Sequence, residues 1–144
     1  MEKSFAMDAV AEDRSLRVIR NFFTDALKNL FAHDDVIYLE MCLNEMCENI
    51  IKHAYTPENP GPISIRMKVD DNAVKITVID RGRPFSVLDY DPMDKSILVE
   101  KGIKGKLGIR AIKTVCDRIF YKRLKGKNKT VMIRRRKKTA AIIN

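Results

Sequence analysis

The sequence predicts an α+β two-layer sandwich in which a mixed, mainly antiparallel sheet is covered on one face by about three helices. Three observations carry that expectation. Two N-terminal segments place apolar residues three or four positions apart, the spacing of amphipathic helices. Ile63 to Val69 and Val74 to Val78 alternate apolar and polar residues around an Asp70-Asp71-Asn72 turn, as the arms of a hairpin do. A second alternating pair, Arg118 to Leu124 and Lys129 to Arg135, flanks a turn at Gly126 to Asn128.

Taken in order, the chain opens with a short strand around Ser4 to Met7. Asp13 or Ser15 then caps a helix running toward Leu30, with Leu16, Ile19, Phe23, Leu27 and Leu30 on its apolar stripe. A second helix starts after His33, capped by Asp34 or Asp35, and buries Leu39, Leu43, Met46, Ile50 and Ala54. It ends before Pro57, because the residue preceding a proline is pushed out of the helical region. Three prolines and a glycine between Thr56 and Pro62 read as a loop leading into the hairpin. From Arg81 to Gly105 periodicity fades, and a structureless stretch of that length is more often functional than architectural. Leu107 to Cys116 reads as a third helix opened by glycines. No repeat or linker divides the chain, so one domain over residues 1–144 is expected.

The bulk numbers bound the function class. With 144 residues, 45% hydrophobic and 33% charged, the chain buries roughly two thirds of its unfolded surface and needs neither disulfides nor a structural metal. Cys42, Cys47 and Cys116 form no CxxC pair and read as buried free thiols. Their odd number, with no signal peptide and no apolar run near the roughly 20 residues of a membrane span, points to a reducing cytoplasm and away from a membrane. The net charge of +9 gathers near the end, from Lys122 onward and in the run Arg134 to Lys138. Without interleaved aromatics that run reads as a solvated tail, and nucleic-acid binding is a minor alternative.

Chemistry concentrates in three places. Glu45, Asn49 and His53 stand four residues apart and form one polar ridge on an otherwise apolar helix. A carboxamide oxygen is a hard ligand for magnesium, and a carboxylate one turn away can take a proton from a nucleophile. The strand Val78-Ile79 runs into Asp80-Arg81-Gly82, where a carboxylate can accept from an exocyclic amine and a glycine admits a flat ring. Gly102 to Gly108 is a glycine-rich loop opening a helix, where free amides and the helix dipole favour phosphate. A polar solvent face, an ordinary turn and an ordinary loop would each look similar alone.

Their order is more specific. A helix Glu-x-x-x-Asn-x-x-x-His-Ala-Tyr, then Asp-x-Gly-x-Pro-Phe, then Gly-x-x-Gly-x-Leu-Gly with a helix ending Cys-Asp-Arg-Ile-Phe-Tyr, resembles the nucleotide-binding boxes of the Bergerat fold. That fold belongs to the histidine kinase, gyrase and Hsp90-like (GHKL) ATPase superfamily. The resemblance covers essentially the whole chain. His53-Ala54-Tyr55 and Pro84-Phe85 are similar to the anti-sigma-factor serine/threonine-protein kinases within it.

The resemblance implies ATP and Mg2+ as cofactors, with Asn49 on the magnesium and Glu45 activating a serine hydroxyl or a water. It implies Asp80 on the adenine amino group and Gly82 against the base. Lys104, Gly105, Leu107 and Gly108 would meet the phosphates, Thr130 would complete the adenine pocket, and His53 would border the nucleotide or serve as a hydrogen-bonded packing residue. Lys106 stands where relatives carry a glycine, and Lys52 ranks below Lys104 as a phosphate contact. The implied partners are a sigma factor, an anti-anti-sigma protein of the STAS type, and a second copy in a homodimer. Three other readings compete: a docking module without kinase activity, the detached catalytic domain of a histidine kinase, and a basic nucleic-acid binder. About one helix before the Glu45 helix leaves no room for a phosphoaccepting helix pair, which disfavours the second.

Overall fold

In the computed structural model, which describes residues 2–86, 88 and 108–136, five strands form one sheet in the order β1-β2-β3-β5-β4. They are β1 (Lys3–Val10), β2 (Pro62–Val69), β3 (Ala73–Asp80), β4 (Arg118–Leu124) and β5 (Lys127–Arg135). Helices α1 (Asp13–Leu27), α2 (His33–His53) and α3 (Gly108–Val115) complete the fold. Every pairing among the described strands is antiparallel, where a mixed sheet was expected. Two successive helices separate β1 from β2, and β2 returns antiparallel to β1.

Alternation decides which face is covered. Ile63, Ile65, Met67 and Val69 of β2, and Val74, Ile76 and Val78 of β3, are buried together with Ile19, Phe23 and Leu27 of α1 and Leu39, Leu43, Met46 and Ile50 of α2. Ile112 joins them from α3. On the opposite face Arg66, Lys68, Lys75 and Lys129 surround a shallow depression floored by Thr77 and Ile79. All three cysteines are free and buried. Burial pushes the Cys47 thiol up to about 12.

Element ends differ from expectation for local reasons. Glu12, not Asp13 or Ser15, holds the extended cap position of α1, and its carboxylate is taken by Arg14 at 2.6 Å. Asp13 lies in the first turn, where its charge still suits the helix dipole. Helix α1 stops at Leu27 because the next residues turn to bring Phe31 into the core, with Arg136 stacked over its ring at 4.1 Å. Ala32 precedes α2, leaving Asp34 and Asp35 in its first turn.

The basic run at the end is not simply a solvated tail. Alternation along β5 turns Arg134 inward, where it is 7% exposed and donates to Asp35 Oδ1 at 2.5 Å and to the Val115 carbonyl at 2.7 Å. One guanidinium thus ties β5 to the start of α2 and the end of α3. No described helix is long and apolar enough to cross a membrane.

Candidate functional site

Helix α2 presents the polar ridge expected of it. Glu45 is half-buried, and Asn49, one turn on, is 9% exposed. Neither side chain has a hydrogen-bond partner among the described residues. Burial raises the Glu45 carboxyl above its ordinary 4.5, with a further push from Glu48 and an opposing pull from Lys52. His53 ends the ridge and stacks on Phe85, ring centroids 4.8 Å apart, so it seats the segment after β3 against the helix.

That segment is docked by several bonds. The amide of Arg83 donates to the Ala54 carbonyl at 2.9 Å, and the Arg83 side chain donates to the His53 carbonyl. The Arg81 amide donates to the Tyr55 hydroxyl at 2.6 Å, and that hydroxyl donates to the Pro62 carbonyl at 2.7 Å. Gly82 sits so close to the end of α2 that a Cβ there would lie 2.3 Å from the Ala54 oxygen. The glycine therefore has a packing reason of its own besides any approach to a ring. Gly82→Ala should destabilise the fold by about 1–3 kcal/mol, seen as a lowered thermal midpoint, because the obstructing atom is backbone and cannot swing away.

Asp80, at the end of β3, is 3% exposed. Its Oδ1 accepts from the Gly82 amide at 2.9 Å and from Asn128 Nδ2 at 2.8 Å, while Oδ2 has no hydrogen bond from the described residues. Burial raises this carboxyl above its ordinary 3.8, and the bonds from Asn128 and Gly82 and the Arg123 charge work against that rise. A buried acceptor held on one oxygen and open on the other suits a ligand that brings a donor.

Thr130 is buried on the same face, two residues beyond Asn128; Val78 pairs with Thr130 and Asp80 with Asn128. In the sequence Asn128 stands only as part of a turn. Its place, two before Thr130 and four before Met132 on the inward face of β5, was the signal that a polar side chain points into the site. Gly108 opens α3. Lys104, Gly105 and Leu107, with Lys106, lie outside the described residues; Glu45 and Asn49 stand on α2, Asp80 at the end of β3, and Thr130 opposite Val78 on β5.

Among the described residues no group of three His, Cys, Asp or Glu is placed to hold a metal ion. An amide oxygen such as that of Asn49 is a hard donor that could hold magnesium together with phosphate oxygens of a bound substrate.

Residues 9–134 match the family described as Histidine kinase-like ATPase domain. The chain is 27% identical over 118 residues to a serine-protein kinase RsbW from Bacillus velezensis, spanning 78% of this chain and 74% of that protein. It is 34% identical over 93 residues to the serine-protein kinase RsbW of Bacillus thuringiensis, spanning 62% of this chain and 58% of that one. With the RsbU and RsbW domains of Rv1364c from Mycobacterium tuberculosis it shares the fold at a TM-score of 0.70 and 16% identity, over 99% of this chain and 35% of that one.

Proposed function

The chain belongs to the histidine kinase-like ATPase domain family, and from that footing we propose that it is an ATP-binding anti-sigma factor with serine/threonine-protein kinase activity. It phosphorylates an anti-anti-sigma partner of the STAS type and sequesters a sigma factor, in the cytoplasm and as a homodimer. The similarity to proteins named serine-protein kinase RsbW supports this reading. The observation that carries the nucleotide site is Asp80, whose buried carboxylate is fixed through Oδ1 and accepts nothing at Oδ2 from the described residues.

In this reading Asp80 Oδ2 accepts from the adenine amino group, with Thr130 beside it and Gly82 in the adjoining turn. Asn49 offers its amide oxygen to Mg2+, which supplies charge neutralisation on the phosphates when bound. The start of α3 at Gly108, with Lys104, Gly105 and Leu107 before it, meets the phosphates through amides and an ammonium. Glu45 takes the proton of the attacking serine hydroxyl as its oxygen bonds to the terminal phosphorus and the bond to the departing diphosphate breaks.

Calorimetric titration with ATP and magnesium tests the site. Saturable binding is expected, weakened about tenfold or more by Asp80→Asn, which replaces a charged acceptor by an amide, and weakened also by Asn49→Ala. Because the Asp80 carboxyl is raised, its ionised form is lost as pH falls while ordinary carboxylates are still charged. ATP affinity should therefore fall on acidification from above the ordinary Asp range, and Asp80→Asn should flatten that profile. A wild-type protein that binds no ATP would leave a docking module without kinase activity.

A further inference from the structure

We propose that Asn128 is the positioning residue that makes the site select a 6-amino purine over a 6-oxo purine, an inference that rests on Asp80 receiving the base. Asn128 is 1% exposed, and all its hydrogen-bonding capacity is used. Its Nδ2 donates to Asp80 Oδ1 and to the Arg83 carbonyl, both at 2.8 Å. Its Oδ1 accepts from Arg123 Nη1 at 3.1 Å, from the Phe85 amide at 3.3 Å and from the Tyr121 hydroxyl.

This pattern permits one orientation of the amide. Turned over, the NH2 group would face three donors and the oxygen would face a carboxylate and a carbonyl, leaving buried groups unpaired. With the amide fixed, Asp80 Oδ1 carries two donors and the carboxylate cannot rotate without breaking one of them. Oδ2, which accepts from none of the described residues, then stands as an acceptor of set direction. A 6-amino group donates to it, whereas a 6-oxo group opposes its lone pairs to a negative charge. Discrimination of this kind is large only when the site's own polar group is held so that it cannot turn away.

Asn128 also closes the turn that the base would meet. It joins the Asp80 side chain to the Arg83 carbonyl, while Arg123, its neighbour across the β4–β5 hairpin, donates to the Gly82 carbonyl at 3.0 Å. The hairpin thereby grips the same Asp80-to-Arg83 turn that the end of α2 also holds. Removing the Nδ2 donor frees both the carboxylate and the turn.

The test is the ratio of dissociation constants for ATP and inosine triphosphate, measured calorimetrically with magnesium on the full chain. The two nucleotides differ at the 6-position, so loss of general packing moves both constants and leaves the ratio alone. The wild type is expected to favour ATP, and Asn128→Ala to shrink that preference about tenfold, the worth of one hydrogen bond to a charged group, mainly through weaker ATP binding. Asn128→Leu keeps most of the volume and removes the donor to Asp80 without placing a second carboxyl beside it; it should shrink the preference likewise, and it carries the test if the alanine variant fails to fold.

A folded variant with an unchanged ratio, or one that weakens both nucleotides equally, would overturn the proposal and leave Asn128 a packing residue. Loss of the preference in Asp80→Asn but not in either Asn128 variant would overturn it while sparing the nucleotide site. A wild type that binds neither nucleotide would overturn the nucleotide-site reading itself, and this inference with it.

Discussion

Glu45→Gln should lower phosphate transfer to a serine-bearing partner by about 10²-fold or more, the usual effect of removing a positioned general base, while ATP affinity changes little. The glutamine keeps the length of the side chain and removes only its ability to take a proton, so binding and chemistry should separate. The carboxyl is raised by burial and by Glu48, and only its ionised form accepts a proton. Transfer should therefore fall as pH drops through a value above 4.5, the ordinary position for this group. Glu48→Gln removes the neighbouring negative charge and should move that acid limb downward. Single-turnover transfer of labelled phosphate across a pH series checks both statements. An unchanged rate in Glu45→Gln would remove Glu45 from the chemistry.

Arg134→Leu is expected to give the largest loss of stability, about 3 kcal/mol, or roughly 10 °C in thermal midpoint for a domain of this size. The guanidinium is nearly enclosed and holds both Asp35 and the Val115 carbonyl. Its removal leaves a carboxylate and a helix-end carbonyl without their donor. Much of the loss is therefore the cost of the stranded Asp35 charge, so Asp35→Asn combined with Arg134→Leu should be less destabilised than Arg134→Leu alone. Chemical denaturation of the three proteins measures this directly, and equal losses in the single and double variants would refute it.

The helices and strands were legible because each buried face has one period throughout: Ile19, Phe23 and Leu27 at helical spacing, Ile63, Ile65 and Met67 at strand spacing. The covered sheet face and the third helix were legible for the same reason. Cap positions were not, since acidic residues near a helix start serve equally as cap, dipole partner or ion pair. Glu12 and Asp35 went to arginines at Arg14 and Arg134, one of them 99 residues away. In the candidate site, Glu45, Asn49 and Asp80 stand out in the sequence as polar positions in a fixed order, whereas Thr130 enters only through the family resemblance. Asn128 was hidden because asparagine after Gly126 reads first as turn chemistry. Its role depends on Asp80, a partner 48 positions away that no local pattern specifies.

The strand order has a consequence for the chain during synthesis. Strands β1, β2 and β3 can pair as soon as they emerge, but β3 is completed only by β5 on its other side. Between Asp80 and Lys127 about fifty residues must still be made, roughly 2–10 s at ordinary translation rates. Throughout that interval the nascent chain displays Val74, Ile76 and Val78 on a strand with an unpaired hydrogen-bonding edge, the kind of surface on which chains stick to one another. Protection of that edge by chaperones, or a pause in translation after the β5 codons rather than before them, would then govern how much protein reaches the folded state.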